Sequence, residues 1–127
     1  MAEVRLEHAN ITVSDPERSA KMLEDIFGWK VRWAGEAIDT GRSIHVGGEE
    51  SYLALYHSGT EQGAAGDSYK TVNGLNHLAV VVDDLHAVEQ KVRAAGYTPG
   101  EHHDYEPGER FYFRDHDGIE FEVVSYA

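Results

Sequence analysis

Leu6-Glu-His-Ala-Asn-Ile-Thr-Val-Ser-Asp15 and Leu75-Asn-His-Leu-Ala-Val-Val-Val-Asp-Asp84 are two copies of one pattern. The offset between them is 69 residues, since 77 − 8 = 69 for the two histidines, and the leucine, valine and aspartate positions keep that offset. Each copy contains β-branched residues and ends at an acidic residue that can cap a helix, so each predicts a strand followed by a helix. A repeat of this kind predicts a fold made of two related modules.

Both segments that follow the repeats have the apolar spacing of a helix with one buried face. The apolar positions are Ala20, Leu23, Ile26 and Phe27 in the first copy and Leu85, Val88, Val92 and Ala95 in the second. Gly28 and Gly96 follow the last turns, where a left-handed residue often ends a helix. The two copies therefore agree over the helix as well as over the strand.

Further strands are predicted after each helix. They cover roughly residues 29–34, 43–46 and 51–57 in the first half, and 111–114, 118–125 and a weaker strand near 97–102 in the second half. The polar, glycine-rich segment 58–73 is interpreted as a linker or a flap. We therefore expect one α+β domain over residues 1–127, with βαβββ modules at about 1–57 and 74–127. A pseudo-twofold should relate them around a curved mixed sheet that encloses a metal cavity.

Composition excludes several classes of function. A net charge of −12 disfavours binding to nucleic acid, which requires clustered lysine and arginine, and disfavours anionic membrane surfaces. No apolar run approaches the length of a membrane span, and the N-terminal residues do not resemble a signal peptide. The chain contains no cysteine, which is compatible with a reducing compartment. We expect a cytoplasmic protein that acts on a small molecule.

His8 and His77 occupy the same position in the two repeats, and core packing alone does not require histidine there twice. Two modules related by a pseudo-twofold would direct both imidazoles towards one cavity. The last strand offers a carboxylate, because Glu120 and Glu122 share one face and Phe121 and Val123 the other. We expect Glu120 to lie at a solvated strand end and Glu122 to complete a metal site with the two histidines.

These features resemble the vicinal oxygen chelate superfamily, which includes glyoxalase I, extradiol dioxygenases, fosfomycin-resistance enzymes and bleomycin-binding proteins. The resemblance rests on the repeated LxHxxxxVxD pattern, on LEDIFGWKV after the first repeat and on FYFRDHDGIEFEVV near the end. It covers nearly the whole chain. It implies the fold expected above and a divalent metal held by His8, His77 and Glu122. Fe²⁺ or Mn²⁺ is the first expectation, and Zn²⁺ or Ni²⁺ is the alternative.

The resemblance also bears on the reaction. In glyoxalase I a fourth position holds a glutamate that is both ligand and base, whereas the alignment here places Ala54 there, with Tyr56 as its neighbour on the same face. Tyr112 stands ten residues before Glu122, since 122 − 112 = 10, as a tyrosine does in extradiol dioxygenases. Tyr112 and Tyr56 are therefore the catalytic candidates. An extradiol-type dioxygenase is placed slightly ahead of a glyoxalase-type lyase, and a bleomycin-resistance-type binding protein is the non-catalytic alternative.

Two further expectations concern ligands and partners. Residues 100–105 contain no lysine or arginine, so a phosphonate substrate of the fosfomycin type is ranked low. Members of the superfamily with one chain of this length commonly pair, which implies a homodimer with isologous symmetry. Trp29 and Trp33 are the candidate contact residues.

Overall fold

A computed structural model describes residues 3–37, 41–60, 63–105 and 107–127. The chain divides into two compact units, Met1–Gln62 and Gly63–Ala127, and each contains one of the predicted modules. Residues 58–60 and 63–73 contain neither helix nor strand, as expected for a linker, whereas Glu61 and Gln62 of that predicted segment lie outside the described residues. Within the described chain, neither helix has the length and apolar character needed to cross a bilayer.

Unit 1 consists of one helix and a four-stranded sheet. Its elements in chain order are β1 (His8–Thr12), α1 (Pro16–Phe27), β2 (Lys30–Glu36), β3 (Arg42–Gly47) and β4 (Tyr52–His57). The strands lie in the order β1-β4-β3-β2. β1 pairs with β4 in parallel, and the other neighbours are antiparallel, so the sheet is mixed.

Unit 2 repeats this arrangement. Its elements are β5 (Leu78–Val81), α2 (Leu85–Ala94), β6 (His103–Tyr105), β7 (Gly108–Arg114) and β8 (Glu120–Ser125). The strand order is β5-β8-β7-β6, again with one parallel pair and two antiparallel pairs. The predicted α+β fold of two βαβββ modules is therefore confirmed, as two four-stranded mixed sheets with one helix each.

The weak strand predicted near residues 97–102 is wrong. Those residues, all of them described, form no strand, and β6 begins only at His103. The backbone N–H of Tyr97 instead donates to the carbonyl of Val92 at 3.1 Å, which finishes the helix, and Pro99 has no N–H to offer a neighbouring strand. The β-branched and aromatic residues there serve the helix end and the connection rather than a sheet.

Both helices begin and end as their sequences predict. Asp15 and Asp84 accept hydrogen bonds from backbone N–H groups three residues onward, at 3.3 Å and 3.0 Å. Gly28 and Gly96 follow the helices with φ of 72° and 94°, which a residue with a Cβ adopts only with strain. The apolar face of α1 is buried through Leu23 and Ile26, so each helix covers one face of its own sheet.

Candidate metal centre

Strand alternation divides the side chains of β8 between the two faces of the unit 2 sheet. Phe121 and Val123 are 2% and 0% exposed and belong to the core beneath α2, as predicted. Glu120 and Glu122 point to the opposite face, where Glu122 lies opposite Tyr112 of the neighbouring β7. This face, away from the helix, is called the site face of the sheet below.

Glu122 is buried on the site face and is held by three side chains. Its Oε1 lies 3.0 Å from Nε2 of His77 and accepts a hydrogen bond from the Tyr112 hydroxyl at 3.1 Å. Its Oε2 accepts a hydrogen bond from Nη1 of Arg110 at 2.8 Å. The guanidinium offsets the cost of burying this carboxylate, which would otherwise be large.

This arrangement provides two of the ligands that a divalent ion would need. Nε2 of His77 and Oε1 of Glu122 are close enough to be neighbouring ligands of one ion, and imidazole with carboxylate is a donor set that Fe, Mn, Zn and Ni accept. Nδ1 of His77 lies 2.7 Å from Oδ1 of Asn76, a contact that orients the ring as partners of metal-binding histidines usually do. Arg110 occupies the other oxygen of Glu122, so the carboxylate would bind through one oxygen.

Glu120 is not solvated, and the prediction for this residue is wrong. Its side chain is only 14% exposed, because Tyr69 from the segment before β5 donates a hydrogen bond to it and Arg114 lies 3.5 Å away. This hydrogen bond raises the pKa of Tyr69. A solvent-open cleft of about 470 Å³ adjoins this region and is lined by Tyr112, Arg114 and Glu120 among others. Unit 2 therefore has room for a small molecule beside Tyr112.

Unit 1 holds His8 and Tyr56, the other two predicted site residues. His8 begins β1, its Nδ1 lies 2.8 Å from Oε1 of Glu7, and its ring stacks on Tyr52 with centroids 4.8 Å apart. Tyr56 lies near the end of β4, where its ring packs closely against Gly41. The structure thus brings His77, Tyr112 and Glu122 together in unit 2, and the joining of His8 to them stays a prediction.

The register of the two sheets identifies the unit 1 counterpart of Glu122. Asn10 pairs with Ala54 in unit 1, and Ala79 pairs with Glu122 in unit 2. Asn10 and Ala79 are separated by the repeat offset of 69, since 79 − 10 = 69. Ala54 therefore holds in unit 1 the position that Glu122 holds in unit 2, and its alignment with the glutamate of glyoxalase I stays a prediction.

Two residues of the site faces were missed in the sequence. Arg110 bonds to Glu122, and His45 lies opposite Ala54 just as Tyr112 lies opposite Glu122. The ring of His45 stacks on Tyr52 at 4.7 Å and meets Trp33 at 5.0 Å. Burial lowers the pKa of His45, and the charges of His8 and Arg32 lower it further. Arg110, Tyr112 and Arg114 alternate with Phe111 and Phe113, and this alternation is the sequence signal that would have put Arg110 on the same face as Tyr112.

Fold and site together define a protein of two βαβββ units in which a half-buried histidine lies against a buried carboxylate on one site face. The family model of the glyoxalase/bleomycin resistance protein/dioxygenase superfamily matches residues 5–123. The chain belongs to this superfamily. No curated protein sequence matches the chain.

Solved structures show the same fold. A glyoxylase/bleomycin resistance protein/dioxygenase domain from Frankia sp. EAN1pec aligns with a TM-score of 0.81 at 22% identity, covering 98% of each chain. The fosfomycin resistance protein FosX from Mesorhizobium loti aligns with a TM-score of 0.73 at 26% identity, covering 98% of this chain and 92% of its own. TnmS3, an antibiotic-binding protein from Streptomyces sp. CB03234, aligns with a TM-score of 0.76 at 16% identity, covering 100% and 99%. A fosfomycin resistance protein and an antibiotic-binding protein share this fold, so the fold alone does not specify the function.

Proposed function

We propose that this chain is a metal-dependent enzyme that binds a small substrate through two adjacent oxygens. His8, His77 and Glu122 would hold one divalent ion, with Fe²⁺ or Mn²⁺ first and Zn²⁺ or Ni²⁺ as alternatives. The main support for this metal site is the distance of 3.0 Å between Nε2 of His77 and Oε1 of the buried Glu122. When bound, the ion would supply Lewis-acid chemistry or, if redox-active, oxygen chemistry at open coordination positions.

Extradiol-type ring cleavage is the first candidate reaction. Tyr112 donates to Glu122, and transfer of that hydrogen bond to a substrate oxygen would orient a catechol. Isomerisation of the glyoxalase type requires a base near the substrate carbon, and the counterpart of Glu122 in unit 1 is an alanine. A glyoxalase-type lyase therefore requires another base in this chain, such as Tyr56, Glu120 or His45.

A binding protein without a metal is the second candidate. Its support is the stack of Trp33, His45 and Tyr52 in unit 1, which offers aromatic faces to a planar ligand. Arg110 also provides Glu122 with a cation partner, so the carboxylate does not depend on a metal ion for its charge balance. The superfamily contains both enzymes and binding proteins, and metal content separates them.

Elemental analysis of protein purified without chelator is the first test. We expect at least one divalent ion per chain, with close to one ion per chain lost in His77→Ala and in His8→Ala. His57→Gln is the matched control, because this histidine is in unit 1 and its ring accepts a hydrogen bond from the backbone of Gly59. Metal content in His77→Ala equal to that of the parent would reject the site, and a metal-free parent that binds planar ligands would favour the binding protein.

Activity assays then separate the reactions. Fe²⁺-loaded protein is supplied with catechols under air, and Ni²⁺- or Zn²⁺-loaded protein with methylglyoxal and glutathione. Ring-cleavage absorbance that disappears in Glu122→Ala supports the first candidate, and thioester formation without catechol turnover supports the lyase. Fosfomycin belongs in the panel, because Arg110 and Arg114 add two cations to the site face, although residues 100–105 contain none.

Two further properties accompany this proposal. A homodimer with isologous symmetry is proposed, with Trp29 and Trp33 as the contact candidates; Trp33 is 48% exposed, and Trp29 is half-buried. Light scattering that gives a monomer at micromolar concentration would reject the dimer. A cytoplasmic location remains the proposal made from the sequence, and fractionation of cells that express the chain would test it.

A further inference from the structure

A second group of metal-binding side chains lies on unit 2, between α2 and the helix-covered face of the sheet. His86 and Glu89 are three residues apart on α2 and so share one side of that helix. His102 precedes β6, and Glu109 belongs to β7. Ligand atoms of His86, His102 and Glu109 all lie within 4.8 Å of one another. The group shares no residue with the site of His77 and Glu122.

The ring of His102 is fixed at both nitrogens. Its Nδ1 lies 3.0 Å from Oε2 of Glu109, and its Nε2 lies 2.8 Å from Oε2 of Glu89. The ring is stacked against His86 at 5.3 Å and against Phe111 at 5.6 Å. A histidine that binds a metal through one ring nitrogen usually donates the N–H of the other nitrogen to a carboxylate. His102 has such a carboxylate at each nitrogen.

We propose that His86, His102 and Glu109 bind a divalent transition-metal ion, with Glu89 holding the far nitrogen of His102. Two imidazoles and a carboxylate suit Zn²⁺, Ni²⁺ or Co²⁺ better than Mg²⁺ or Ca²⁺. The side chain of His86 is 72% exposed, and its ring already lies against that of His102. A solvent-open cleft of about 360 Å³, lined by His86 and Glu109 with Asp83 and Asp84, gives access. The bound ion would tie α2 to β7.

One competing explanation needs no metal. Hydrogen bonds to Glu109 and Glu89 raise the pKa of His102, so an imidazolium bridging two carboxylates would also hold these side chains together. The two explanations differ at His86, because the bridge does not require that residue and the metal site does. His86 is on the surface of its helix, and its replacement leaves the core intact.

The test is a titration of the full chain with Zn²⁺, followed by calorimetry and by the imidazole NMR signals of ¹⁵N-histidine-labelled protein. We expect the signals of His86 and His102 to shift together on addition of Zn²⁺, in the parent and equally in His77→Ala. His86→Ala and His102→Gln should abolish this event. Glu89→Gln should weaken it by about 10–100-fold, the usual effect of losing the partner of a metal-binding histidine. His57→Gln is the control and should leave it unchanged.

Several outcomes would overturn the proposal. Unshifted His86 and His102 signals at saturating Zn²⁺ would leave the protonated bridge as the explanation. Equal Zn²⁺ affinity at this event in the parent and in His86→Ala would do the same. Loss of the event in His77→Ala, with retention in His86→Ala, would assign the binding to the other site. Failure of this proposal is thus distinguishable from failure of the proposed function.

Discussion

Unit 1 and unit 2 pair their strands in the same order, yet unit 1 carries Ala54 where unit 2 carries Glu122. The side chains around these two positions also differ between the units. Glu122 is bonded by Arg110 and Tyr112, whereas the counterparts in register around Ala54 are Ser43 and His45. One site face carries a buried ionic network, and the other carries an aromatic stack.

The difference shows which constraints the repeat has kept. The aspartate caps at the helix starts and the strand order are common to both units, because each unit must pack one helix against one sheet. The site faces carry no such shared requirement, so they can hold different chemistry on the same backbone. The predictions below test this separation of scaffold from site, beginning with the largest effect.

Glu122→Ala should destabilise the protein more than any other single change on a site face. It leaves the guanidinium of Arg110, whose side chain is 12% exposed, without its carboxylate. Removal of one partner of a buried pair typically costs about 3–5 kcal/mol of unfolding free energy. Urea denaturation measures this loss. Glu120→Ala is the matched control, since its partner Arg114 is 55% exposed, and a loss as large as that of Glu122→Ala would contradict the ranking.

Ala54→Glu copies the carboxylate of unit 2 into unit 1 and should also be destabilising. Ala54 is 1% exposed, and the neutral Ser43 stands where unit 2 has Arg110, so the bond that Arg110 makes to Glu122 has no equivalent at this position of the register. A buried polar group without its partner costs about 1–3 kcal/mol. Because the buried carboxyl favours its neutral form, the loss should be larger at pH 8 than at about pH 4. Ala54→Met introduces an uncharged side chain of about the size of glutamate, so its loss of stability should not depend on pH.

Asp15→Ala and Asp84→Ala compare the two helix starts, where the units should behave alike. Each aspartate caps its helix through a backbone N–H three residues onward. Each replacement should lower the unfolding free energy by about 0.5–2 kcal/mol. Thermal or urea denaturation of both variants measures the pair. A loss of unfolding free energy in only one of the two variants would show that the two helix starts contribute unequally to stability, despite their similar geometry.

The smallest expected effect is the pH dependence contributed by His45. Its pKa is lowered in the folded protein, chiefly by burial and then by His8 and Arg32, so the unfolded chain binds a proton more readily. This contribution to stability is present above the ordinary pKa of histidine, about 6.5, and is lost as the pH falls below it. His45→Gln should therefore flatten the decline in stability between about pH 7 and pH 5.5. If the slope of unfolding free energy against pH is unchanged in His45→Gln, His45 does not contribute to this pH dependence.

The helices and strands could be predicted because their sequence patterns are local and occur in both repeats. The repeat around His8 and His77 predicted both modules, and the alternation in β8 separated Phe121 and Val123 from Glu122. The errors came from contacts that sequence spacing does not encode. Glu120 is covered by Tyr69, 51 residues away in the chain, and the residues expected to form a strand before His103 finish α2 instead. Arg110 was overlooked because its partner lies on another strand.

The aromatic stack of unit 1 has an optical consequence. Trp29 and Trp33 are the only tryptophans in the sequence, and both belong to the first unit. Trp33 lies 5.0 Å from the imidazole of His45, a ring that quenches indole emission more strongly once it is protonated. Emission excited at the red edge of the indole band therefore reports on the first unit, while far-ultraviolet circular dichroism reports on both. If the halves of the molecule melt separately, the two signals will follow different curves, without any label being added.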